Sequence, residues 1–218
     1  MNPLGQRESA AIPEMNANLI WKKEPRYDTF LCTGTVLAGA LIPFFQVPRS
    51  GFGSGFGVIA KTASETNMSA PGSLGDPNQF LLYGFSIEVK SAVAEPMAAS
   101  TLASDWALIY NTGVFRFVTD NNNIQLEVPL TKIPTGIGLQ GFAATTLGAT
   151  PLQMATMTNG VPDAKHYYNF TVPGSKLPLL IRGSQTFRCE IGYPVLALTT
   201  LTNTRIRCYM HGVYGQEK

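Results

Sequence analysis

Charge is what this sequence has least of. Asp, Glu, Lys and Arg make up only 14% of its 218 residues, against about a quarter in ordinary soluble domains. Much of the surface must therefore consist of Thr, Ser, Asn, Gln and exposed apolar groups. Such a surface favours association, because little self-repulsion opposes contact and little desolvation opposes burial. A formal net charge of +2 also excludes a chain that neutralises many phosphates through one basic face.

Cysteine and histidine are scarce too. Cys32, Cys189 and Cys208 are odd in number and include no Cys-x-x-Cys pair, which excludes a closed disulfide set and a zinc site of the usual spacing. They read as buried free thiols in a reducing compartment. The two histidines, His166 and His211, lack cysteine or carboxylate partners at metal-ligand spacing, although Asp163 lies three residues from His166 in a loop-like segment. His166 reads as a turn residue with a surface imidazole. There is no Gly-x-Ser-x-Gly elbow, Walker loop, His-Glu-x-x-His or calcium loop. The expectation is a non-enzymatic protein with no catalytic, metal or cofactor-binding residues.

A secretory signal is missing as well, since Arg7, Glu8 and Glu14 interrupt what would be its apolar stretch. The sequons at Asn67 and Asn169 then read as chance matches. Residues 30–47 carry no charge, long enough to raise a membrane span as an alternative. Thr33, Gly34, Thr35, Gly39, Pro43 and Gln46 punctuate that run, however, and favour buried strands.

What is abundant is turn chemistry. Glycine and proline together fill 36 positions, and residues 51–77 are loops rich in them. Within these, Gly55-Phe56-Gly57-Val58-Ile59-Ala60 matches a permissive dinucleotide fingerprint, with Asp76 about twenty residues on. No strand-to-helix unit surrounds it, so no cofactor site is expected.

Between the loops, alternation marks strands. In residues 80–90, Leu81, Tyr83, Phe85, Ile87 and Val89 fall on one face. In residues 205–214, Ile206, Cys208, Met210 and Gly212 oppose Arg205, Arg207, Tyr209 and His211. A hairpin is expected from Gly113 to Leu130 around Asp120-Asn121-Asn122-Asn123, with Phe115 and Phe117 facing Leu126 and Val128. A second is expected from Leu177 to Ile191 around Gly183-Ser184-Gln185. Residues 101–110 predict one short helix, with Leu102, Trp106 and Ile109 near helical spacing. Short strands between Gly- and Pro-rich connections predict an all-β antiparallel sandwich or barrel.

Residues 1–28 hold eight of the chain's thirty charges, four of each sign, without an apolar period. They read as an extended or helical N-terminal arm preceding a domain of residues 29–218. Lys22, Lys23 and Arg26, beside Trp21 and Tyr27, are its candidate interaction residues, able to meet a polyanion or lipid head groups or to pair with Glu24 and Asp28. An aromatic platform for carbohydrate from Tyr167, Tyr168 and Tyr209 is the alternative reading, as in a spike or adhesin.

The segments Trp106-Ala107-Leu108-Ile109-Tyr110-Asn111-Thr112-Gly113-Val114-Phe115-Arg116-Phe117 and Leu180-Ile181-Arg182-Gly183-Ser184-Gln185-Thr186-Phe187-Arg188-Cys189-Glu190, with the closing Arg205-Ile206-Arg207-Cys208-Tyr209 strand, resemble the jelly-roll major capsid proteins of tailless icosahedral bacteriophages. The resemblance covers under a quarter of the chain. It implies a jelly-roll sandwich that self-assembles into an icosahedral virus shell, in the virion and built in the host cytoplasm. Its partners would be copies of itself and other virion proteins, with a lipid membrane or packaged nucleic acid meeting the arm. The lineage often fuses two rolls, whereas about eight convincing strands in this length favour one.

Overall fold

The computed structural model describes residues 18–91, 99–120, 122–134, 141–146, 153–158, 167–171, 177–195, 197–200 and 203–218. About half of the described residues lie in strands. Its first half forms β1 (Leu19–Lys22), β2 (Arg26–Cys32), β3 (Thr35–Val36), β4 (Leu41–Phe44), β5 (Gln79–Ser91), helix α1 (Ala99–Thr112) and β6 (Val114–Thr119). There follow β7 (Asn123–Pro129), β8 (Gly141–Thr146), β9 (Gln153–Thr158), β10 (Tyr168–Asn169), β11 (Leu179–Arg182), β12 (Phe187–Gly192), β13 (Leu198–Thr199) and β14 (Thr204–Glu217).

Two antiparallel sheets face each other. In the larger, β14 is flanked on one side by β1 and β2 and on the other by β5, which also carries β10 and β11. The smaller runs β4-β12-β6-β7. Strand β14 alternates as its sequence requires, with Ile206, Cys208 and Met210 fully buried and Arg205, Arg207, Tyr209 and His211 only partly so. The faces meet through aromatic rings. Phe85 of β5 lies with its ring centroid 5.1 Å from Phe115 and 5.0 Å from Phe117, both of β6, and 5.7 Å from Phe170.

The hairpin β6–β7 has the expected pairing, Phe115 opposite Val128 and Phe117 opposite Leu126. Its turn uses Asn122 at φ 64°, a left-handed conformation that asparagine tolerates well. The helix extends beyond the expected 101–110 at both ends. Tyr110 anchors it, donating its hydroxyl hydrogen to the Ile87 carbonyl at 2.6 Å. The side chains of Leu102 and Trp106 lie outside the described residues.

Three expectations are corrected. Residues 177–191 are not a hairpin: β11 pairs with β5 and β12 pairs with β4 and β6, so the Gly183-Ser184-Gln185 turn carries the chain from one sheet to the other. Both strands are apolar because both line the same core, which sequence alternation cannot distinguish from mutual pairing. The inward set of β5 changes phase at Tyr83. Leu82 pairs with Gly212 and Gly84 with His211, leaving Tyr83 as the extra residue of a bulge. The core therefore takes Phe80 and Leu82, then Phe85, Ile87 and Val89, while Tyr83 is only half-buried. Finally, residues 19–28 belong to the larger sheet rather than to an arm: β1 and the start of β2 pair with β14. Residues 1–17 lie outside the described residues.

The uncharged run 30–47 forms the end of β2, then β3 and β4, with Cys32, Ile42, Phe44 and Phe45 buried. No helix among the described residues is long and apolar enough to cross a membrane.

Candidate interaction surfaces

The three arm residues do not form one basic patch. Lys22 and Lys23 are exposed, and Lys22 Nζ donates to Gln216 Oε1 at 3.4 Å. Arg26 is buried instead. Its guanidinium lies 3.5 Å over the Tyr214 ring, 3.4 Å from Glu24 Oε1, and donates to the Asn67 carbonyl at 3.3 Å. Burial pushes its pKa down, with Glu24 acting in the opposite direction. Arg26 is a joint between β2, β14 and the following loop, which leaves only the two lysines to face a partner.

The outer face of the larger sheet carries a polar and aromatic network that the sequence only half disclosed. Arg207 Nε donates to Thr29 Oγ1 at 3.0 Å, and Nη1 donates to the Tyr209 hydroxyl at 3.2 Å and lies 3.6 Å from Glu88 Oε2. Tyr209 in turn donates to Glu88 at 3.1 Å. Tyr27, Tyr209 and His211 follow one another along this face with centroids 6.0 Å apart at each step, and Tyr167 stacks on His211 at 4.8 Å and 14°. A side chain at Gly84 could not coexist with this stack, since a Cβ there would fall 2.4 Å from the Tyr167 ring and 2.1 Å from the Tyr168 carbonyl. Tyr168 packs against the core and is not part of the row. Of the three rings expected to form a platform, two share this face. One face of the Tyr167 ring is occupied by His211, and the Tyr209 hydroxyl is already engaged.

His211 is partly buried on the outer face of β14. Its Nε2 is 2.7 Å from the Ser86 hydroxyl, and burial, reinforced by Lys23, lowers its pKa to about 4. Because the folded pKa lies below the unfolded one, its contribution to stability is complete above about 6.5 and is lost as pH falls through about 4. Denaturant titrations between pH 7 and 4 should show wild type losing about 1–3 kcal/mol more than a His211→Gln variant. Equal losses in the two proteins would remove this assignment. His166 lies outside the described residues.

The glycine-rich loop is pinned along its length. It covers the edge of β2: Leu31 donates its N–H to the Ser54 carbonyl at 2.9 Å, and Asn67 Oδ1 accepts from Tyr27 N–H at 2.9 Å. Its base closes through Ser50 N–H to Lys61 carbonyl (2.8 Å) and Lys61 N–H to Gly51 carbonyl (2.9 Å). Gly55, at φ +83°, lies so close to β2 that a Cβ would fall 1.7 Å from the Leu31 carbonyl oxygen. Gly55→Ala should therefore destabilise the fold by at least about 1–3 kcal/mol in urea titrations, through both the left-handed conformation and the clash. Covering an edge strand in this way also removes a template for uncontrolled pairing.

Beneath the loop lies a fully buried ion pair, Lys61 Nζ to Asp28 Oδ1 at 2.6 Å, with both side chains at 0% exposure. Asp28 Oδ2 accepts the Phe45 N–H at 2.7 Å. Burial raises the Asp28 pKa and lowers that of Lys61, while each partner opposes the other's shift. Above this anchor the loop presents Phe52, Val58 and Ile59 to solvent, 64%, 91% and 64% exposed. Leu37, Leu41 and Val195 are also exposed, brought together where Gly39 N–H bonds the Tyr193 carbonyl and Leu41 pairs with Gly192.

The Gly55-Phe56-Gly57 segment is loop, not the turn between a strand and a helix that a dinucleotide fingerprint needs. Among the described residues, no three His, Cys, Asp or Glu side chains are grouped to hold a metal ion. All three cysteines are free and buried. A cavity of about 170 Å³ touches Gln46, Gly72, Thr119, Asn122, Phe187 and Arg188; it is smaller than the ~300–1,000 Å³ that enclose most small ligands. No family model, curated protein or solved structure matches the chain.

Proposed function

We propose that this chain is the subunit of an icosahedral virus shell, folded as a single jelly roll and working by self-association, without turnover or cofactor. The sheet orders support the fold. Setting β1 aside and numbering the other strands of the two facing sheets as eight, β2, β4, β5, β6, β7, β10 with β11, β12 and β14, the first, eighth, third and sixth make one sheet. The second, seventh, fourth and fifth make the other. This order supports the jelly-roll reading, an architecture shared by capsid proteins, lectins and cupins; function must therefore rest on surface rather than topology.

The observation that carries the shell reading is the anchored apolar loop. Isolated exposed apolar residues are ordinary, but Phe52, Val58 and Ile59 are all exposed on one loop held by backbone bonds and a buried ion pair. A fixed apolar projection on a surface poor in charge suits repeated contact between copies. The exposed lysines, Lys22 and Lys23, could add weak contacts, each worth about 0–1 kcal/mol and significant only through repetition. In this reading other virion proteins, and lipid or packaged nucleic acid beneath the shell, are further partners.

Val58→Asp with Ile59→Asp tests the reading. The double variant should keep the wild-type melting transition, because both side chains are exposed, and should lose assembly in light scattering and negative-stain microscopy. Normal assembly by the folded variant would rule out this loop as the contact.

The alternative, a carbohydrate- or receptor-binding sandwich, draws on the row from Tyr27 to Tyr167. A sugar needs a free ring face, and in this row Arg207 lies 5.5 Å from the Tyr27 centroid while His211 covers one side of Tyr167. The row is better fitted to stiffening the sheet.

A further inference from the structure

The pair beneath the loop has features that an ordinary salt bridge does not need. Two opposite charges at 0% exposure are costly, because the desolvation of both ions offsets most of their attraction. Surface pairs elsewhere in the chain, such as Arg116 with Glu127 at 2.6 Å, hold their elements together without that cost. Lys61 and Asp28 stand 33 residues apart on a loop and a strand, with the Phe56 ring centroid 5.9 Å from the ammonium. The nitrogen is held 2.6 Å from one carboxyl oxygen, and the other oxygen is fixed by the Phe45 N–H.

We propose that Asp28 and Lys61 condense to an intramolecular amide, cross-linking the loop to β2. Within the pair a proton passes from the Lys61 ammonium to the Asp28 carboxylate, giving a neutral amine and a neutral acid. Burial favours this exchange, since it raises the Asp28 pKa and lowers that of Lys61. The amine lone pair then attacks Cγ of Asp28, and the carbonyl electrons move onto oxygen. Oδ2, bonded to the Phe45 N–H, is the oxygen on which that charge develops, so the backbone donor is already in place. The other oxygen leaves as hydroxide and takes one of the two protons left on nitrogen, the second staying as the amide N–H, so one water departs and one C–N bond replaces one C–O bond. No oxidant, reductant or activating group is required. Fixing the two groups in contact supplies the proximity that makes such unimolecular steps feasible, and the product has no buried charge left to desolvate.

Glu65 is the remaining carboxylate acting on Lys61. Its oxygens are held by the Thr62 N–H at 2.9 Å, the Thr62 hydroxyl and the Ser64 hydroxyl at 2.7 Å; burial pushes its pKa up, but these contacts and the Arg205 charge together outweigh it and hold it below the usual carboxylate value. It shapes the turn that follows Lys61 and is not needed as the proton carrier.

The test is the intact mass of the full chain, purified folded, incubated until its mass is constant and then denatured. The expected mass is that of the sequence less one water. Proteolysis should release one branched peptide in which Asp28 is joined to Lys61. Lys61→Arg, which keeps the charge but removes the nucleophilic amine, should return the full sequence mass. A wild-type chain at the full mass overturns the proposal whatever the variants do. So does loss of water without the joined peptide, as from cyclisation of an aspartyl residue.

Discussion

Replacing Phe85 by alanine should destabilise the fold by about 3–5 kcal/mol. The residue is fully buried and touches three other rings, two from the opposite sheet and Phe170 beside them. Deletion of the ring removes apolar burial and aromatic edge contacts, and leaves a cavity that two stiff sheets cannot close. For a domain of this size the midpoint of thermal unfolding should fall by roughly 6–20 °C. Phe85→Leu, which keeps most of the volume, should cost under about 1.5 kcal/mol. If Phe85→Ala and Phe85→Leu melt alike, the ring is not the joint between the sheets.

The second large effect is expected at Lys61. Lys61→Met keeps the length of the side chain but leaves Asp28 buried without its cation, at a cost of about 3–5 kcal/mol near neutral pH. The sign of the pH dependence follows. Asp28 keeps the burial that raises its pKa and loses the charge that opposed it. A group with a raised folded pKa contributes stability that is complete below its unfolded value, about 3.9, and is lost as pH rises through the folded one. The variant's own stability should therefore rise as pH falls toward about 3.9 and decline as pH rises, whether the wild-type pair is ionic or joined. Asp28→Asn added to Lys61→Met removes the charge and should abolish that pH dependence. Urea titrations at several pH values check all three proteins, and the same pH dependence in the two variants would mean that Asp28 is not the source.

Much of the fold was legible in the sequence because half-buried strands announce themselves by alternation. Strand β14 and the hairpin at Asp120–Asn123 were read correctly for that reason, and the membrane alternative for residues 30–47 gave way to strands as its glycine and proline punctuation implied. What alternation reports is burial, not partner. It could not tell that residues 179–182 and 187–192 enter different sheets, nor that Tyr83 would be bulged out and invert the phase of its neighbours, since a bulge is a property of the pair. The ends of the domain were hidden by charge. Asp28 and Arg26 read as solvated residues of an arm, whereas one is neutralised by Lys61 and the other by Tyr214 and Glu24. Lys61 itself sits in a loop-rich stretch, and only the fold brings it to Asp28. Of the candidate surfaces, the outward set of β14 was visible as Arg205, Arg207, Tyr209 and His211. The exposed apolar tip was hidden inside a segment that looked like linker.

The central claim is that the chain assembles with itself into a closed shell. Negative-stain microscopy of the purified full-length protein, across a range of salt and protein concentration, tests it most directly. The account expects closed particles of uniform diameter or the regular oligomers that precede them. A protein that stays folded and strictly monomeric under all those conditions would contradict it, and binding of that monomer to an array of glycans would establish the sandwich as a recognition module instead.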